Sequence, residues 1–404
     1  MSQYGYKQTE IGVIPNDWES VALLSKCILL NGLTYTPDDI ADNGLLVIRS
    51  SNVQNHQLVF SDNVYVDLPV ADEKLIRKDD IIICVRNGSA ALIGKCAKAS
   101  RDYAITFGAF MAVLRGENNG YIYQLLQQGT IQKHISKNSG ATINQITNGD
   151  FKTIFVPFPT DAKEQECIAE ALSDVDSMIS SLEKLIEKKK AVKQGAMQEL
   201  LTGKKRLPGF TGEWAHMELG KYGSLMKETI NPQSYSSEYF WEYSMPAFDE
   251  GRTPIKQKGA DMHSKRTVIC GKVLLFNKLN VRQKRIWLID QCRDSAVCSS
   301  EFLPYKSDAI NLELLSQILY TDKVTLEFIG MSTGTSNSQK RITPDAFLEY
   351  KVYLPVNEKE QAAIANVFSC MDNEIEALEQ KLKKTRQIKQ GMMQQLLTGK
   401  IRLV

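Results

Sequence analysis

The 404-residue chain has no uninterrupted apolar run of the ~18 to 20 residues that a membrane-crossing helix needs. Its opening, MSQYGYKQTEIGVIP, has neither a basic segment nor an apolar one after it. No signal peptide is therefore expected, and a cytoplasmic location is the default. The eight cysteines (Cys27, Cys84, Cys96, Cys167, Cys270, Cys292, Cys298, Cys370) form no CxxC pair and no repeated spacing. Reduced, mostly buried thiols are the expectation. Four scattered histidines without HExxH argue against a zinc hydrolase, and no GxSxG elbow is present. The stretch GSAALIGKC from Gly88 to Cys96 is no phosphate loop: five residues separate its glycines where four are required, and Cys96 stands where a magnesium-binding hydroxyl belongs. An adenine methyltransferase would show Asn-Pro-Pro-aromatic, and Asn231-Pro232-Gln233-Ser234 lacks the second proline and the aromatic ring. The chain reads as a non-enzyme, with no catalytic residue and no metal ligand to nominate.

What is present is a repeat. Residues 164–207, EQECIAEALSDVDSMISSLEKLIEKKKAVKQGAMQELLTGKKRL, return as 360–403, EQAAIANVFSCMDNEIEALEQKLKKTRQIKQGMMQQLLTGKIRL. One shift aligns Glu164 with Glu360, Gly195 with Gly391, Gly203 with Gly399 and Arg206 with Arg402 without a gap, so the chain is a tandem duplication. Apolar residues step by threes and fours in both copies: Ile168, Leu172, Val175, Ile179, Leu182, Ile186, and Ile364, Phe368, Met371, Ile375, Leu378, Leu382. That is the stripe of a coiled-coil seam, and the nearest partner for each helix is the other copy. Glu183, Lys184, Glu187, Lys188, Lys189 and Lys190 read as a solvated flank.

The same shift carries Trp18 onto Trp214 and Phe158-Pro159 onto Leu354-Pro355. Each unit is thus a Trp-marked start, a domain, a proline exit and a long helix; the tryptophans are expected as core anchors. The segmentation is 1–159 and 204–355 for the domains, 160–203 and 356–404 for the helices. Short apolar runs at 45–49, 81–85, 110–114, 154–156, 273–276, 286–289 and 352–354 predict buried strands. Helical spacing at 121–135, interrupted by Gly129, and at 312–320 predicts helices, and Asp161 is placed to cap the first long one. The fold class is α/β: two mixed α/β domains separated by a pair of long helices, with an internal pseudo-twofold repeat.

At 43% hydrophobic and 24% charged the composition is that of an ordinary soluble protein, and a net charge of +2 does not by itself point to nucleic acid. Basic residues are nonetheless concentrated at Lys256, Lys258, Lys265, Arg266, Lys272, Lys278, Arg282, Lys284 and Arg285, with Asp261 the one acid in that stretch. Loop chemistry of the kind that reads base edges follows several strands. In the first domain the candidates are Arg49, Ser50, Asn52, Arg86, Asn87, Ser89 and Asn144. In the second they are Asn277, Lys278, Asn280, Arg282, Lys284, Thr335, Asn337, Gln339 and Lys340. Solvated loop residues are the competing reading.

The two EQ…I-A…S…D helices ending in KQGAMQELLTGKKRL and KQGMMQQLLTGKIRL, with the Trp starts and Pro exits, resemble the specificity subunits of type I restriction-modification systems. The resemblance covers essentially the whole chain. It implies two target-recognition domains that each read half of a split double-stranded DNA sequence, held apart by two antiparallel helices. It also implies docking of two modification subunits that bind S-adenosylmethionine and methylate adenine, and of ATP- and magnesium-dependent restriction subunits, with no cofactor in this chain. Met197, Leu200, Leu201, Met393, Leu396 and Leu397 are the candidates for the subunit interface, burial against their own domains being the other reading. A seam of ~20 to 25 residues at ~1.5 Å per residue would match about one turn of DNA, which suggests a ruler. The alternative function is a scaffold with a coiled-coil tether and no DNA affinity.

Overall fold

The computed structural model describes residues 5–138, 144–334 and 339–403. The chain forms two compact units, one of residues 1–183 and 381–404, the other of residues 184–380. Both boundaries fall inside the long helices Ala162–Leu200 and Glu358–Leu396. Each unit takes in part of each helix.

In the first unit, strand Ile81–Cys84 lies between Cys96–Lys98 and Met111–Arg115, with Ile28–Asn31 beyond, all antiparallel. A second sheet pairs Leu45–Ile48 in parallel with Ile105–Phe107 and antiparallel with Val64–Val66. The apolar run Ile81–Cys84 is continuous because both of its faces are covered. Ile82 and Cys84 pack with Ile48 and Phe107 of the second sheet, while Ile81 and Ile83 pack with Tyr121, Ile122 and Leu125 of the helix Asn119–Leu126. Gly129 opens a separate helix, Gly129–Asn138, which accounts for the break in spacing. The stretch from Gly88 to Lys95 is a connection between strands Ile81–Cys84 and Cys96–Lys98, with one helical turn at Ala90–Leu92.

The second unit repeats the plan with different side chains. Val273–Asn277 lies between Phe302–Lys306 and Ile286–Ile289, and Tyr239–Tyr243 pairs in parallel with Ala296–Ser299 in a five-stranded sheet. Val273 and Leu275 face that sheet; Leu274 and Phe276 face the helices Leu312–Leu319 and Asp322–Met331.

A two-stranded ribbon closes each unit: Trp18–Ala22 with Phe155–Pro159, and Trp214–Glu218 with Lys351–Pro355. The Trp start and the proline exit are the two ends of one ribbon, Trp18 opposite Pro159 and Trp214 opposite Pro355. The carboxylates of Asp161 and Asn357's amide oxygen then accept from the backbone N–H of Lys163 and Lys359, capping the long helices.

The signature residues of the repeat meet at these helix starts. Glu164 is fully buried; Arg402 bonds both of its oxygens, the Trp18 indole N–H donates to it at 3.1 Å, and Arg402 also grips Asp17 at 2.7 and 2.9 Å. In the second unit Arg206 donates twice to buried Glu360 at 2.6 Å, joined by the Trp214 N–H at 3.3 Å. The neighbouring Gln165 and Gln361 donate to the carbonyls of Pro159 and Pro355. Gly203 and Gly399 adopt φ of 69° and 67°, turning the chain back so that each arginine reaches its glutamate. A Cβ on Gly399 would stand 2.4 Å from the Pro15 ring. The tryptophans are thus hydrogen-bonding members of a clamp, Trp18 as a fully buried ring and Trp214 as a half-buried one packed against the second core.

The helix halves run antiparallel in each unit. Lys389 pairs with Asp176 and Arg386 with Glu183 in the first, Lys193 with Asp372, Lys189 with Glu374 and Lys190 with Glu379 in the second. The charged flank is therefore partly an inter-helix ion-pair ladder. The seam is also shorter than its sequence suggests, because Ile168 and Leu172 belong to the first unit's core and Ile364 and Phe368 to the second's.

Removing one member of a buried ion pair strands the other charge, so Glu164→Ala and Glu360→Ala should each cost about 3 to 5 kcal/mol in chemical denaturation. Arg402 holds the Asp17 carboxyl below its usual range. That contact stabilises the fold above the unfolded carboxyl pKa of about 3.9 and is lost as the pH falls further, a contribution that Asp17→Asn should remove from the acid titration of stability.

Candidate nucleic-acid interface

The loops that follow the central strands are held together by one backbone pattern in both units. In the first, the N–H groups of Val85 and Arg86 donate to the Phe110 carbonyl, Ile146 donates to Val85 and Asn87 donates to Asn144. In the second, Lys278 donates to Glu301, Ile342 to Lys278 and Asn280 to Lys340. Isolated bridges Arg86 to Gln145 and Leu279 to Arg341 occupy the same place in the two patterns. The frame is therefore shared where the side chains are not.

Several candidates converge on it. Asn87 donates to the Ser50 hydroxyl at 2.9 Å and Asn144 to the Gly88 carbonyl at 3.0 Å, which gathers 49–52, 86–89 and 144–146 into one cluster. Arg86 and Ser89 are exposed within it. Arg49 is tied to Asp62 at 2.8 Å. In the second unit Lys278, Asn280, Arg282, Gln339 and Lys340 are exposed or half-buried around the equivalent cluster, and Asn280 takes a left-handed backbone (φ 51°) at the turn. Thr335 and Asn337 lie outside the described residues.

Other candidates are buried or already paired within the protein. Asn52 is fully buried: its side-chain oxygen accepts from the Arg49 N–H, and its amide donates to the carbonyls of Val59 and Asp62. Asn277, at the end of its strand, is 3% exposed. Both hold loops in shape; a polar residue next to a strand end looks alike in sequence whether it points in or out. Lys284 is committed to Asp322 at 2.5 Å and the Tyr320 carbonyl at 3.0 Å. The basic stretch is partly neutralised in the same way, Arg266 by Glu242, Lys272 by Glu313 and Asp290, and Arg285 by Asp249. The Arg285 guanidinium holds the Asp249 carboxyl below its usual range. Lys256, Lys258, Lys265, Lys278 and Arg282 have no ion pair among the described residues.

Four of the six interface candidates are core residues. Leu396 and Leu397 pack into the first unit's core, and Leu200 and Leu201 into the second's, because the apolar end of each helix is drawn under the closing ribbon. Met197 and Met393 remain partly exposed, Met197 beside Ile318, Val324 and Tyr353 in a groove of about 690 Å³ and Met393 beside Tyr123 and Ile179 in one of about 560 Å³. Sequence reading missed Phe110 and Glu301 at the centres of the two loop frames; only the strand pairing brings them there.

No group of side chains among the described residues has a metal-binding arrangement. The structure is a duplicated α/β frame that offers two unlike loop sets. Residues 15–194 match the family described as the type I restriction modification DNA specificity domain. The chain is 30% identical over 220 residues to the EcoKI specificity subunit of Escherichia coli K12, a match covering 51% of this chain and 46% of that relative, less than half its length. It is 26% identical to the MjaX specificity subunit of Methanocaldococcus jannaschii over 98% of this chain and 97% of the relative. The fold resembles the crystal structure of the type I restriction-modification S subunit from M. genitalium, with a TM-score of 0.64 and 15% identity over 94% of this chain and 96% of that one. Over residues 15–194 the chain is thus similar to the type I restriction modification DNA specificity domain, and over nearly its whole length, at lower identity, to a type I specificity subunit.

Asn52→Ala, which leaves buried partners unpaired, should cost about 1 to 3 kcal/mol of stability. Arg86→Ala and Arg282→Ala should leave the melting temperature nearly unchanged and weaken duplex binding in a fluorescence-anisotropy titration.

Proposed function

We propose that each α/β unit reads one half of a bipartite, asymmetric double-stranded DNA target, and that the paired helices set the gap between the halves and dock two modification subunits. The chain confers sequence choice and performs no chemistry; S-adenosylmethionine, ATP and Mg²⁺ belong to the modification and restriction subunits of the complex. The observation that carries this reading is the common backbone frame bearing unlike side chains, Arg86, Phe110 and Gln145 in one unit and Leu279, Glu301 and Arg341 in the other. A protein built to bind one symmetric ligand would have no use for that divergence. Two equivalent helix faces beside Met197 and Met393 suit two copies of one partner.

Phosphate contacts make affinity fall steeply between about 50 and 200 mM salt. Duplex binding by the full chain with its modification subunits should show that dependence, and a scaffold without DNA affinity would not. Because Leu200 and Leu201 are core residues, lengthening the helix at 198–202 would disturb the second unit. Seven residues inserted both after Glu183 and after Gln380, at the unit boundaries, add about 10 Å to each helix. Methylome sequencing should then report a gap about three base pairs longer with both half-sites unchanged. An altered half-site with the original gap would overturn the ruler.

A further inference from the structure

Resting on the specificity reading above, we infer that Phe110 is a specificity-determining residue that reads the 5-methyl group of a thymine in the half-site of the first unit. Phe110 is 52% exposed, an apolar ring left open to solvent at the centre of a polar loop cluster. It is not a frayed tip. Its carbonyl takes two backbone N–H groups, those of Val85 and Arg86, and the turn that carries it is closed by the Met111 N–H on Gly108. The next residue, Met111, is fully buried between the sheets. The ring is thus held outward by a rigid base. The Arg86 guanidinium lies 5.2 Å from the ring centroid.

Apolar side chains distinguish thymine by contact with its methyl group, and arginine is the commonest partner of guanine in the same groove. A ring with a guanidinium against it presents both chemistries side by side. The second unit tests the logic from within the molecule. The position that corresponds to Phe110 through strand pairing is Glu301, whose carbonyl accepts the Lys278 N–H and whose carboxylate is paired with Arg341 at 3.3 Å. The same place in the frame is apolar in one unit and acidic in the other, as two unlike half-sites require; the acid suits a base-edge amine and offers nothing to a methyl group.

The experiment uses the full chain assembled with its modification subunits and duplexes of its methylome-defined target, in which each thymine in turn is replaced by deoxyuridine. Wild type should lose about fourfold in affinity at one thymine of one half-site, the worth of a single buried methyl group, and F110A should bind the thymine and uracil duplexes alike. Glu301→Ala should leave that ratio at its wild-type value and alter preference in the other half alone. A thymine-to-uracil ratio in F110A equal to wild type, or indifference of the wild type to uracil throughout both halves, overturns the inference while specific binding stands. Absence of any sequence preference in the wild-type complex overturns the specificity reading itself.

Discussion

Everything in each unit leans on one buried carboxylate. Glu164 and Glu360 have no exposed surface, so each needs a cation and a full set of donors at a fixed place. The arginine that satisfies each comes from just past the end of the antiparallel helix, and the indole N–H comes from the first strand of the ribbon. Three distant segments are thereby brought to one point, and the ends of the two helices cannot slide without uncovering a charge. The central strands, and the loops they carry, are then positioned against helices whose register is already set.

This explains which residues the duplication kept alike. Trp, Glu-Gln, Gly and Arg are the clamp and its turn, and they are the same in both halves because the geometry of a buried ion pair tolerates little change. Strand interiors vary more freely, since any close-packed apolar set will do. The loops vary most, because the backbone ladder that supports them uses main-chain groups and leaves the side chains free.

Much of this was legible in the residues. Apolar runs such as 81–85 and 273–276 announce the buried strands Ile81–Cys84 and Val273–Asn277, the break at Gly129 is real, and the repeated segments are helical from Ala162 to Leu200 and from Glu358 to Leu396. Pairing was less visible. Periodicity identifies the apolar face of a helix but not what covers it, so Ile168, Leu172, Ile364 and Phe368 read as seam although they belong to the α/β cores. Leu200, Leu201, Leu396 and Leu397 read as spare apolar surface for the same reason. Asn52 and Asn277 were misjudged because loop polarity does not reveal the direction of a side chain, and Phe110 was hidden inside an apolar run whose register only the neighbouring strand defines.

The discontinuous make-up of the first unit has a consequence for how the protein comes into being. Its core and its clamp wait for Leu396, Leu397 and Arg402, which follow the whole of the other unit in translation order. The unit whose residues begin emerging first is therefore the one completed last, and its unfinished apolar surface must persist until the closing segment leaves the ribosome. A break in the chain between Lys381 and Arg402 would surface as damage among residues 1–183, some two hundred positions away along the sequence.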